Sequence, residues 1–209
     1  MKVAIIGASG FIGSALLDEA LNRGHEVTAI VRHPEKIKLD NPNLTVKKGD
    51  ITNEAELAEV LKGNDAVICS YKTDNKVDAA KSTYALINAC KKDGIKRLLL
   101  VNGAASLEVA PGKLLIDTPE FPDAWKNLAL ATKEALDILR GVNDLDWTAL
   151  SPAAMIEPGP RTGKFRLGKE QLVINDKGES KITNADYAVA MIDELENPQH
   201  IKQRFTLAY

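Results

Sequence analysis

The residues best suited to chemistry open the chain. Gly7, Gly10 and Gly13 recur every third position in Gly7-Ala8-Ser9-Gly10-Phe11-Ile12-Gly13, directly after the apolar run Val3–Ile6. Glycines so spaced between a strand and a helix let the backbone approach a pyrophosphate. Gly7 can take the tight turn, Gly10 leaves room for phosphate oxygens, and Gly13 lets the helix lie close to the strand. The helix start adds free N–H groups and the positive end of its dipole. The whole stretch is therefore expected to cradle a dinucleotide. An acid about 20 residues further on would grip unmodified ribose hydroxyls. Here the chain reads Ala29-Ile30-Val31-Arg32-His33-Pro34, with no acid before Glu35. The Arg32 guanidinium can hold a 2′-phosphate through paired hydrogen bonds, and a carboxylate there would repel it. NADP(H) is expected in preference to NAD(H), with His33 and Lys36 as candidate helpers.

Further candidates fall at the ends of apolar runs. Asp50-Ile51 suits an adenine ring, with the acid facing the amino group and Ile51 packing on the ring; a local turn is the competing role for Asp50. Cys69-Ser70-Tyr71 is expected along the diphosphate and ribose, with Cys69 as a small buried residue and not a nucleophile. Asn102-Gly103 should lie near the nicotinamide. Asn102 and Ser106 are the candidate catalytic groups, although Ser106 could simply cap a turn. Trp125 and Met155, with Phe121, could form an apolar platform for a planar acceptor, or pack in the core. Arg161 could bind a substrate phosphate, or pin its loop through a carboxylate. His25 and His200 read as surface or packing residues, and no His, Cys or carboxylate spacing suits a metal.

These positions need a frame, and the apolar pattern supplies one. Strands are expected at Val3–Ile6, Glu26–Val31, Leu44–Lys47, Ala66–Ser70, Arg97–Val101 and Trp147–Leu150. Helices are expected at Ile12–Asn22, from the Asn53/Glu56 capping box to Leu61, at Val77–Lys92 and at Pro122–Arg140. Regular alternation of this kind gives an α/β fold, a Rossmann-type doubly wound parallel sheet with helices on both faces and ligand at the C-terminal strand ends. Beyond Pro152 the pattern changes. Phe165–Leu167 and Gln171–Ile174 read as short strands, Asp176-Lys177-Gly178 as a turn, Ala185–Glu196 as a helix capped by Thr183 or Asn184, and Arg204–Ala208 as a last strand. Residues 1–209 are thus expected to form one domain, with about 152–184 as a small insertion that builds the substrate wall and does not fold alone.

Composition narrows the partners. With 27 basic and 29 acidic residues the net charge is -2, which gives no reason to expect nucleic acid or an anionic membrane. No apolar run is long enough for a bilayer, the N-terminus runs straight into a strand, and Cys69 and Cys90 are expected as reduced thiols in the cytoplasm. A monomer is favoured over a dimer, because no long exposed apolar helix asks for a partner.

The glycine loop, the Arg32 strand end and Asn102-Gly103 together resemble the atypical or extended short-chain dehydrogenase/reductase superfamily. Within it the chain is similar to the small NAD(P)H-binding proteins of the NADH-flavin reductase group, relatives of biliverdin reductase B and of NmrA-like proteins. The segments Asp146–Ala154, Pro158–Gly168, Ala185-Asp186-Tyr187-Ala188 and Gln203-Arg204-Phe205-Thr206 carry that likeness through the whole chain. One departure matters. The superfamily's usual Tyr-x-x-x-Lys pair is missing from the helix after the fifth strand, where Lys126 and Leu130 stand in its place. Carbonyl–alcohol interconversion and sugar epimerisation then lack their usual acid–base pair. Hydride transfer to FMN, FAD or a quinone demands less. The resemblance therefore implies an NADPH-preferring oxidoreductase acting on a planar small-molecule acceptor. The alternatives are a non-catalytic NADP(H) sensor acting on a protein partner and, more weakly, an NAD(P)-dependent epimerase or dehydratase.

Overall fold

Short apolar runs bounded by polar turns become strands covered on both faces. The computed structural model describes all 209 residues. Its strands are β1 (Lys2–Ile6), β2 (Glu26–Val31), β3 (Leu44–Lys48), β4 (Ala66–Cys69), β5 (Arg97–Val101), β6 (Glu108–Ala110), β7 (Lys113–Leu114), β8 (Asp146–Ser151), β9 (Met155–Glu157), β10 (Arg166–Gly168), β11 (Lys181–Thr183) and β12 (Gln203–Ala208). The helices are α1 (Phe11–Asn22), α2 (Glu54–Leu61), α3 (Lys76–Lys92), α4 (Lys126–Arg140) and α5 (Asn184–Glu196). Eight strands form one sheet in the order β10-β12-β8-β5-β4-β1-β2-β3. All of its pairs are parallel except β10 with β12.

Alternation within each strand divides the core. Val3 and Ile5 of β1 pack with α1 and α5 on one face, whereas Ala4 and Ile6 pack with α2, α3 and α4 on the other. This is the Rossmann-type doubly wound arrangement. The caps follow the side chains available. Asn53 accepts from the Glu56 N–H, and Thr183, not Asn184, accepts from the Asp186 N–H. The α4 region starts differently from its pattern. Asp123–Trp125 forms a 3-10 turn, and the α-helix begins only at Lys126. No helix is long and apolar enough to cross a membrane.

The short strands depart from expectation in two ways. Gln171–Ile174 is not a strand, because Gln171 makes only an isolated bridge to Glu108. The Glu108 N–H donates to the Glu170 carbonyl and the Leu172 N–H to the Glu108 carbonyl, so the segment is held by the start of β6 and not by the eight-stranded sheet. Conversely, the β6–β7 hairpin and the β9–β11 pair form from runs too short to stand out in the sequence. His25 and His200 are both packed. His200 stacks on Phe205 with ring centroids 4.2 Å apart, and its Nδ1 lies 2.8 Å from Glu194. His25 is buried against Glu196.

Candidate functional site

Turns at the C-terminal strand ends leave a cleft of about 570 Å³. One end is the glycine loop. Gly7 has φ +78°, and a Cβ at Gly13 would stand 2.0 Å from the Gly7 carbonyl oxygen, so α1 can sit on β1 only without that atom. Gly10 differs. A Cβ there would meet only Gly7 O, at 3.2 Å, and would project into the cleft that Gly10, Phe11 and Ile12 line. Gly10 is also the N-cap of α1, where no side chain caps the helix and no acid lies in the first turn. The start of α1 is thus open for an anion. Ser9 is exposed beside it, whereas the Ala8 side chain is packed in the core, which leaves only its backbone for a ligand.

The β2 and β3 ends lie to one side. Arg32 follows β2, is exposed, and makes no ion pair or hydrogen bond within the protein. Asp50 is half-buried, and its Oδ1 accepts from the Thr52 N–H at 2.9 Å and the Thr52 hydroxyl at 2.8 Å. These bonds, aided by the charges of Arg32 and Lys81, hold the Asp50 carboxyl below the usual carboxylate range. The local-turn role is therefore realised, and one oxygen remains. Ile51 departs from its expected place. It is 5% exposed and packed in the core, so its side chain is spent before a ring arrives.

On the other side, Ser70, Tyr71, Asn102 and Gly103 line the cleft at the ends of β4 and β5. Cys69 does not. Its thiol is buried and burial pushes it up to about 12, which suits packing and not nucleophilic attack. Asn102 lines both the cleft and a second, smaller space of about 30 Å³. Both its Oδ1 and its Nδ2 are buried without a hydrogen-bond partner. Gly103 lets α4 close up, since a Cβ there would lie 2.6 Å from Thr132 Oγ1.

The far wall is apolar. Leu115, Phe121, Trp125, Leu128, Met155 and Ile156 line it, and Trp125 and Met155 are about half exposed. Of the 152–184 segment only residues 152–156 reach the cleft. The remainder lies outside it and is tied to α1 through Arg161 and to the end of α4 through Glu170. Two catalytic or substrate candidates are corrected here. Ser106 is buried outside the cleft, and Arg204 Nη1 donates to its hydroxyl at 3.1 Å. Arg204 also pairs with Glu170, which Arg140 at the end of α4 reaches at 3.0 Å. Arg161 is away from the cleft, paired with Glu19 through Nε at 2.7 Å and Nη2 at 2.8 Å. It pins its loop to α1. The sequence reading missed Lys72, Thr118, Glu120 and Thr132 on the cleft wall, since no local pattern distinguishes them from ordinary loop and helix residues.

The pattern of a protein family described as NAD(P)H-binding matches residues 7–198. The chain belongs to this NAD(P)H-binding family. A relative from Bacillus subtilis, YwnB, is 42% identical over 99% of this chain and 98% of its own. Among solved structures, a "putative epimerase" from Bacteroides thetaiotaomicron has 49% identity and a TM-score of 0.96, covering 100% of this chain and 96% of that one. A "putative NADH-flavin reductase" from Streptococcus pneumoniae has 38% identity and a TM-score of 0.86, covering 100% and 99%. The resemblance to short-chain dehydrogenase/reductase proteins and the Rossmann-type fold are thereby borne out. With its oxidoreductase-like neighbours, the NAD(P)H-binding chain has the fold of an oxidoreductase.

Proposed function

We propose that this protein is an NADPH-preferring reductase that delivers hydride to a planar apolar acceptor of the flavin or quinone class. The observation that carries the reading is the continuity of the cleft. The uncapped start of α1 and the aromatic-edged wall of Phe121, Trp125 and Met155 belong to one opening, of a size usual for cofactor and ligand sites. The open α1 N-terminus and the space over Gly10 fit a dinucleotide pyrophosphate. Gly7–Gly13, Ser70, Tyr71 and Gly103 would hold it, and the unpaired Arg32 favours the 2′-phosphate form. The spare Asp50 oxygen suits the adenine amino group.

Bound NADPH supplies the hydride. The protein's work is to hold two rings close and keep water from between them. An acceptor that is itself an electron sink needs no protein acid, which agrees with the absence of tyrosine from α4. A second reading, acid–base chemistry at an alcohol, draws on one observation: Tyr71 and Lys72 both line the cleft.

Anaerobic NADPH oxidation with excess FMN, against a protein-free blank, tests the main reading. Saturable turnover is expected, and at saturating NADPH Tyr71→Phe, which keeps the ring against the cofactor and removes only the hydroxyl, should leave kcat within about threefold, because a lost general acid would cost on the order of a hundredfold or more. A protein that binds NADPH yet turns over neither flavins nor quinones overturns the proposal. A flavin rate that collapses in Tyr71→Phe moves the weight to acid–base chemistry.

A further inference from the structure

The side chain of Asn102 is anomalous in this molecule. Asn102 is 5% exposed, and neither its amide oxygen nor its amide nitrogen has a partner. Its backbone, by contrast, is fixed. The Asn102 N–H donates to the Leu150 carbonyl at 2.9 Å, and the same carbonyl accepts from the Tyr187 hydroxyl at 2.6 Å. A rigidly placed residue therefore carries a buried donor and acceptor with nothing to satisfy them. That arrangement is unfavourable by itself, and buried polar groups are seldom left so.

Asn102 lines two spaces. The smaller one, about 30 Å³, has room for water only. The larger one is the cleft, which can take a ring once the Asn102 side chain turns to meet it. The sheet order decides which ring. From the glycine loop on β1, the neighbours β2 and β3 lead to Arg32 and Asp50, whereas β4 and β5 lead in the opposite direction to Asn102. If the adenine end lies over β2 and β3, the pyridine end of the same molecule reaches β5. The chemistry agrees. A neutral carboxamide offers one donor and one acceptor in a plane, and its natural complement is another carboxamide.

We propose that Asn102 reads the carboxamide of the nicotinamide ring through a paired donor–acceptor contact and is thereby a specificity-determining residue for the pyridine end of the cofactor. This inference rests on the cofactor reading given above. It assigns Asn102 recognition and orientation of the ring, with no part in proton transfer.

The test compares three ligands by calorimetric titration: NADP⁺, its 3-acetylpyridine analogue, and adenosine 2′,5′-bisphosphate. The analogue keeps the carbonyl acceptor but replaces the amide nitrogen with a methyl group. The bisphosphate keeps only the adenine end. The natural protein should bind NADP⁺ about tenfold more tightly than the analogue, the worth of one well-placed hydrogen bond. Asn102→Leu should bind the two equally, while its affinity for the bisphosphate stays within twofold. Its ligand-free melting temperature should be unchanged or higher, because an unpaired buried amide has been removed. Asn102→Ala serves the same comparison should leucine not pack. A natural protein that does not distinguish the analogue, or a variant that still does, overturns the inference. So does a variant that loses the bisphosphate in parallel, which would make Asn102 a general support of the site. A natural protein that binds the bisphosphate leaves the cofactor reading standing in each of these cases. One that binds none of the three overturns that reading, and this inference with it.

Discussion

The packing of α1 on the sheet is closed by atoms that are missing, and the segment around residues 158–186 is held by charged atoms that are present. At the first, a Cβ added at Gly13 would stand only 2.0 Å from the Gly7 carbonyl oxygen, and the packing beneath is apolar. At the second, Arg161 binds Glu19, Arg204 binds Ser106 and Glu170, and Asp186 collects the Thr162 and Gly163 N–H groups with the Thr162 and Tyr209 hydroxyls. The difference teaches how each half can change. Close packing tolerates almost no substitution but is indifferent to pH. A web of hydrogen-bonded charges tolerates repacking but depends on its protonation.

The comparison breaks most sharply at the glycines. Gly13→Ala should cost about 3 kcal/mol or more, since neither the helix nor the strand can retreat from the clash. Gly10→Ala should leave the fold nearly intact and weaken dinucleotide binding, because its Cβ enters the cleft and not the helix contact. Melting curves with and without NADP⁺ separate the two. Equal destabilisation of both ligand-free variants would mean that Gly10 is structural as well. The next effect is smaller. Arg32→Ala should weaken NADPH by roughly 1.5–3 kcal/mol, tenfold to over a hundredfold, and leave NADH nearly unchanged. An equal loss for both would show that Arg32 does not read the phosphate.

The smallest effect belongs to the charged segment. Hydrogen bonding from Arg161 holds the Glu19 carboxyl below its ordinary value, against some burial and with help from Arg23. Burial raises the Asp186 carboxyl, but the bonds from Thr162, Gly163 and Tyr209 outweigh it and leave the net value lowered. A carboxyl depressed in the folded state contributes stability above its unfolded value and loses it as pH falls through the folded one. Acidification below the ordinary range, 4.5 for Glu19 and 3.8 for Asp186, should therefore loosen residues 158–164 before α1. Hydrogen exchange at the Thr162 and Gly163 amides would register it. Simultaneous opening of α1 would refute the division.

What could be read from the sequence follows the same line. The glycine loop, Arg32 and the six parallel strands announce themselves within a few residues, because each is a local pattern of spacing or alternation. Ser106 and Arg161 did not, since their partners Arg204 and Glu19 lie 98 and 142 residues away. Asn102 could be placed at a strand end, yet nothing local indicates that its amide is left unpaired. The β9–β11 and β6–β7 pairs are two to three residues long, below the length at which alternation can be recognised.

The position of β12 bears on the order of assembly. Although it follows every other strand in the chain, it is interior to the sheet, with β8 on one side and β10 on the other. During synthesis, β1 to β8 can pair while the outer backbone of β8 stays an open edge. β10, already made, has no strand to join until β12 arrives. The glycine-loop half of the sheet can therefore mature first, and the β8–β12–β10 edge must wait for a distant segment whose contacts are slow to form. In that interval the bare edge of β8 is the surface most exposed to pairing with another chain.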